Sequence, residues 1–178
     1  MLLPPKHNIP AHRLHHTTPP AVWILLSAVW PKPVNLVLAD DDEDDRDMLI
    51  EVLNEIAPHV RVTVARNGQQ LMTFLNQSAT APDIIFLDLN MPLKNGQECL
   101  TEIRANKKFK PVPVVIYSTS CSSQHIDDTF LNGANFYFTK PGSYKDLKVI
   151  IARIFSLDWK QFMQPQKDKF VISINHFK

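Results

Sequence analysis

A chain of 178 residues with 44% hydrophobic content is long enough to bury one substantial core and too short for two large domains. Its formal net charge of +1 excludes a general nucleic-acid binder, whose affinity would rest on clustered Lys and Arg neutralising phosphates. The two cysteines, Cys99 and Cys121, lack metal-ligand spacing, so neither a disulfide framework nor a zinc site is indicated and a reducing cytoplasm fits.

Residues 1–33 are set apart by five prolines before Ala21, by His12, His15 and His16, and by the apolar run Ala21 to Trp30. That run is too short to span a bilayer. Basic residues ahead of a short apolar core also mark export signals, yet no small-residue cleavage site precedes Pro31. An irregular extension is expected, native or arising from a start codon placed too far upstream, and no membrane partner.

From Val34 onward, short apolar runs alternate with amphipathic segments. Val34 to Ala39 reads as a strand and is followed by six consecutive acids, Asp40 to Asp45. Asp42, Glu43, Asp44 and Asp45 are expected to be a solvated, dipole-stabilising helix start. Leu49, Val52, Leu53 and Ile56 then keep i, i+3, i+4, i+7 spacing. Val60 to Ala65 is a second strand, and Leu71, Phe74 and Leu75 begin a second apolar helix face. Ile84 to Leu87 is a third strand, followed by a weaker stripe at Leu100 and Ile103. Val114 to Tyr117 is a fourth, followed by Ile126 and Phe130, with Gly133 as a helix stop. Asn135 to Thr139 is a fifth. Leu147, Ile150, Ile151 and Ile154 give the clearest helical face, and Ser143 with Asp146 resembles a capping box. Beyond Trp159, Phe170, Ile172 and Ile174 alternate, as in a short edge strand or an association segment, and a disordered tail is an equal alternative.

Such alternation favours an α/β fold, a doubly wound parallel sheet with helices on both faces, because parallel strands are joined only by crossovers. In these sheets ligands bind beyond the carboxyl ends of the strands. Polar residues sit at those ends: Asp40 and Asp41 after the first strand, Asp88 after the third, Ser118 after the fourth and Lys140 after the fifth. Crowded carboxylates repel one another unless a cation joins them. Mg²⁺, which prefers a few oxygen ligands plus waters, is the natural partner. An aspartate nucleophile, a hard metal and an ammonium group together suit phosphoryl transfer.

The acidic pair, the segment Phe86-Leu87-Asp88-Leu89-Asn90-Met91-Pro92 with Gly96 beyond it, Ser118, and Lys140-Pro141 together resemble the response regulator receiver family, the CheY-like phosphoacceptor domains, over Val34 to Trp159. The resemblance implies a flavodoxin-like five-stranded sheet in the order 2-1-3-4-5, with residues 34–159 as the receiver and 160–178 as a C-terminal tail. It makes Asp88 the phosphoacceptor, Asp41 a direct Mg²⁺ ligand, Asp40 a ligand acting mainly through a metal-bound water, and Asn90 a ligand through its backbone carbonyl. Ser118 would hydrogen-bond the phosphoryl group and Lys140 would pair with Asp88 or its phosphate, with a cis Lys140-Pro141 bond. Tyr137 would be an aromatic switch that turns in from solvent when Ser118 is drawn toward the phosphoryl group. Thr119 departs from the family pattern by its bulk, while Asn90 and Ser120 occupy positions that tune attack by water.

The implied partners are a sensor histidine kinase or a histidine phosphotransfer protein, and a downstream protein that the sequence does not name. Residues 160–178 leave too little chain for a recognised output domain. The competing class is an aspartate-nucleophile, Mg²⁺-dependent phosphohydrolase, which would carry Asp-x-Asp-x-Thr. Here the second position is Asn90, so the general acid for turnover is missing and no enzyme is expected. A degenerate interaction domain is disfavoured by the complete set of site residues.

Overall fold

Five parallel strands, β1 (Val34–Ala39), β2 (Val60–Ala65), β3 (Ile84–Leu87), β4 (Val114–Ser118) and β5 (Phe136–Thr139), pair in the order β2-β1-β3-β4-β5 in a computed structural model. The structure describes residues 33–157 and 166–173, so the extension through residue 32, Trp159 and Ile174 lie outside the described residues. The crossovers are α1 (Glu43–Ile56), α2 (Gly68–Gln77), α3 (Gly96–Ala105) and α4 (Ser123–Leu131), and α5 (Tyr144–Ser156) follows β5. This is the doubly wound arrangement that the alternation of elements predicts, in the flavodoxin-like strand order that the resemblance implies.

The two-residue period of β1 divides the core. Val34, Leu36 and Leu38 face the layer of α1 and α5, where Leu49, Val52, Leu53, Leu147, Ile150, Ile151 and Ile154 are buried. Val37 and Ala39 face the opposite layer, with Leu71 and Leu75 of α2 and Leu100 and Ile103 of α3. Central β3 and β4 are buried along their whole length, as expected of parallel strands covered on both sides. Among the described residues, no helix is long and apolar enough to cross a membrane.

Helix ends carry their own chemistry. Asp42, Asn67 and Ser143 each accept a hydrogen bond from the backbone N–H three residues on, at 3.1, 2.8 and 3.2 Å. At Ser143 only this serine half of the expected box forms, because the Asp146 carboxylate is one methylene shorter than the Glu of a full box. The reciprocal box occurs at Asn95 and Glu98. Gly133, at φ 85°, ends α4: its N–H donates to Phe130 O and that of Ala134 to Thr129 O, both at 3.0 Å, a complete Schellman motif.

β5 begins at Phe136, one residue later than the apolar run suggests, because Asn135 clamps the sheet entry. Its N–H donates to Val114 O and its Oδ1 accepts from Val114 N–H, both at 2.8 Å. Arg104 adds a bond to the same oxygen at 3.0 Å and reaches Gly133 O at 2.7 Å and Val112 O at 2.9 Å, tying the end of α3 to β4 and β5. The tail makes a 3₁₀ turn at Lys167–Lys169 and then lies parallel to β5 through a bridge between Val171 and Tyr137. Phe170 and Ile172 are buried there, in a single bridge to the sheet rather than a sixth strand.

Leu38 is fully buried and Leu131 is 79% exposed. Leu38→Ala is therefore expected to cost roughly 2–5 kcal/mol in urea denaturation, whereas Leu131→Ala should change stability by less than about 0.5 kcal/mol.

Candidate functional site

The carboxyl ends of β1, β3 and β5 converge on one ammonium group. Lys140 Nζ lies 2.8 Å from Asp40 Oδ2, 2.9 Å from Asp88 Oδ2 and 2.8 Å from Asp45 Oδ2, with only 4% of its side chain exposed. The ring of Tyr117 on β4 lies beneath it, with its centroid 5.0 Å from Nζ. Asp40 and Asp88 are buried, and each has its other oxygen occupied by local backbone: Asp40 Oδ1 accepts from Asp42 N–H at 3.0 Å and Asp88 Oδ1 from Asn90 N–H at 3.2 Å. Both carboxylates are thus held in orientation before any ligand arrives.

Burial, partly offset by the hydrogen bond and charge of Lys140, raises the Asp40 carboxyl to about 6. For Lys140, burial alone would favour the neutral amine. Hydrogen bonds to Asp40, Asp45 and Asp88 outweigh it and hold the ammonium above its ordinary range. Lys140 is therefore charged throughout the neutral range, and its favourable pairing is lost only when pH rises through that elevated value.

Asp41, exposed, completes a group with Asp40 and Asp88 in which one oxygen from each lies within 4.8 Å of the others. Three carboxylates so close form a donor set for a hard divalent ion. The fit is supported by the chemistry of the set, since Lys140 alone balances the local negative charge incompletely. Ser118 is fully buried at the end of β4, its Oγ accepting from Ser120 N–H at 3.3 Å. Thr119 and Asn90 are exposed at the rim.

Two further residues belong to this centre. Asp45, read as part of a solvated helix start, pairs directly with Lys140, because the first turn of α1 directs it back over the strand ends. Arg46 is buried, and its guanidinium donates to Asp40 O at 3.0 Å, anchoring the turn that carries the acidic pair. One turn of helix separates Asp42, the cap, from Asp45, and that spacing was the available signal.

Two expectations are corrected. Among the described residues there is no cis peptide bond, so Lys140-Pro141 is trans. A prolyl bond favours trans by about 0.5–1 kcal/mol, and the trans linkage already delivers Lys140 to its three partners. Tyr137 does not face solvent either. It is fully buried, its hydroxyl donating to Ser120 O at 2.7 Å, because Phe170 of the tail covers the ring.

Gly96 fixes the loop that presents Asp88. A Cβ there would lie 2.1 Å from Asp88 O and 2.8 Å from Leu89 Cα, and the Gly96 N–H donates to Leu89 O at 3.0 Å. Only glycine allows α3 to start this close to the acidic strand end.

Residues 36–152 match the family model described as the response regulator receiver domain. The chain is 33% identical over 129 residues to response regulator Rcp1 of Synechocystis, covering 70% of this chain and 88% of that protein. It superposes on the Mn²⁺-bound form of Rcp1 with a TM-score of 0.66 at 31% identity, covering 75% of this chain and all of that one. The phosphorylated cyanobacterial phytochrome response regulator RcpA superposes with a TM-score of 0.64 at 32% identity, covering 68% and 90% of the two chains. The chain belongs to the response regulator receiver family, whose members serve two-component signalling.

Replacing Lys140 by Met leaves Asp40, Asp45 and Asp88 without their shared cation. The metal-free variant should lose about 3–5 kcal/mol at neutral pH. It should regain part of this as pH falls, since the Asp40 carboxyl, raised in the folded state, binds a proton at a pH where the unfolded chain does not. Urea titrations at neutral and acidic pH check both the loss and its direction.

Proposed function

We propose that this receiver accepts one phosphoryl group on Asp88 from the phosphohistidine of a sensor histidine kinase or a histidine phosphotransfer protein, in the cytoplasm, and passes the signal on by protein contact. The observation that carries this reading is the Asp88 carboxylate held 2.9 Å from a buried ammonium, inside a cluster of three carboxylates at the strand ends. In the transfer an oxygen of Asp88 forms the new bond to phosphorus, the bond from phosphorus to the donor imidazole breaks, and the imidazole leaves with the electron pair.

Lys140 and Ser118 supply the protein's part. The ammonium moves from pairing with the carboxylate to pairing with the transferred oxygens, and the Ser118 hydroxyl donates to another of them. Mg²⁺ bound at this site would neutralise charge on the phosphoryl oxygens. Asp41 and Asp88 would hold it directly, Asp40 mainly through a water, and Asn90 through its backbone carbonyl. The relative crystallised with Mn²⁺ and the relative crystallised phosphorylated support a divalent ion and an acyl phosphate here. Asn90, carrying no carboxyl, cannot act as the acid and base of an aspartate-nucleophile phosphohydrolase, which favours stoichiometric labelling over turnover.

Acetyl phosphate with Mg²⁺ is expected to add a single phosphoryl group to the wild-type protein and none to Asp88→Asn, as read by intact mass and peptide mapping. Undiminished label in Asp88→Asn would exclude Asp88 as acceptor. Mg²⁺ at about one hundred times its dissociation constant should stabilise the fold by roughly 2.7 kcal/mol, and Asp41→Ala should remove most of that response in thermal melts.

A further inference from the structure

The tail segment 166–173 meets the sheet at Tyr137, through a bridge to Val171. β5 would otherwise be an edge strand, with main-chain groups open along its outer side. The Tyr137 N–H donates to Phe170 O and Tyr137 O accepts from Ile172 N–H, both at 2.8 Å, so the segment brackets Tyr137 from either side. Phe170 is 1% exposed, its ring 5.2 Å from that of Phe130 on α4 and 6.3 Å from that of Tyr137. Lys167 pairs with Asp127 of α4 at 3.1 Å.

The far end of the same tyrosine reaches the phosphoacceptor side of the sheet. Tyr137 donates to Ser120 O at 2.7 Å, and the Ser120 N–H donates to Ser118 Oγ at 3.3 Å. One side chain therefore joins the tail to the hydroxyl that would meet a phosphoryl group. α4, on which the tail also rests, has no side-chain N-cap bond and buries only Thr129 fully, so it is the helix most open to a shift.

We propose that segment 166–173 is an intramolecular strap that holds Tyr137 turned in beneath Ser118 and Ser120, so that strap docking and phosphorylation of Asp88 favour each other. The proposal rests on the reading of Asp88 as acceptor. Its sign follows from position: Tyr137, bonded to Ser120 O, steadies the loop whose N–H is accepted by Ser118 Oγ, which leaves the Ser118 hydroxyl proton free for a phosphoryl oxygen, and the strap stabilises the same arrangement. Linkage then requires reciprocity, with each event raising the affinity of the other by one factor. The partner surface of the phosphorylated protein would accordingly be composite, formed by the strap together with α4.

The test uses the full chain with beryllofluoride and Mg²⁺ as the phosphoryl mimic. Wild type should bind the mimic, and Phe170→Ala should weaken its affinity by at least about five-fold. Because Phe170→Ala removes core volume, Ile172→Pro serves as a second variant: it deletes one strap hydrogen bond, leaves Phe170 in place and should weaken binding in the same direction. Amide exchange at Ile172 in the wild type should slow when the mimic binds. Affinities in both variants within about two-fold of wild type, or faster exchange at Ile172 on binding, would overturn the coupling while leaving Asp88 as acceptor. A wild-type protein that fails to bind the mimic would overturn the Asp88 reading and the coupling with it, although protection of Ile172 would still report a docked strap.

Discussion

A single buried ammonium organises the carboxyl edge of this sheet. Lys140 is reached by Asp40 after β1, Asp88 after β3 and Asp45 from α1. Like charges at such separations would otherwise raise one another's proton affinity and push the strand ends apart. The cluster is therefore a structural keystone in its own right. It draws the three elements together through charge, while the apolar layers on either face fix their spacing. Burial holds Asp40 up at about 6 despite Lys140, and three carboxylates facing one ammonium leave a net negative set suited to a divalent cation.

The fold was legible because its signals are local and repeated. Three strands have the bounds their apolar runs suggest, and the stripes at Leu49, Val52, Leu53 and Ile56 and at Leu147, Ile150, Ile151 and Ile154 are buried as their spacing implies. Positions of Asp40, Asp41, Asp88 and Lys140 at one edge followed from a general rule about parallel sheets. Asp45 was not legible in that way. Within a run of acids, which carboxylate points back toward the site depends on the angle at which the helix leaves the strand, and composition carries no record of that angle. The burial of Tyr137 was not legible for a related reason. Its exposure depends on Phe170, more than thirty residues along the chain, so no window around Tyr137 contains the information.

Glycine and arginine complete the frame in complementary ways. Gly96 allows backbone to approach backbone beside Asp88 where a methyl group would collide. Arg104 spans a wider gap with a charged fork, joining α3 to carbonyls near the entries of β4 and β5 at the end of the sheet opposite the acids. A close contact at one end and a hydrogen-bonded tie at the other hold α3 at both of its termini.

The order in which the chain is made gives the strap a further significance. Residues 166–173 emerge after every strand and α-helix among the described residues, so the sheet assembles with β5 as its margin before they arrive. During that interval Tyr137 presents free main-chain groups of the kind that recruit foreign strands. Docking of the strap closes the interval, and a nascent molecule stalled short of Phe170 would remain adhesive along that margin.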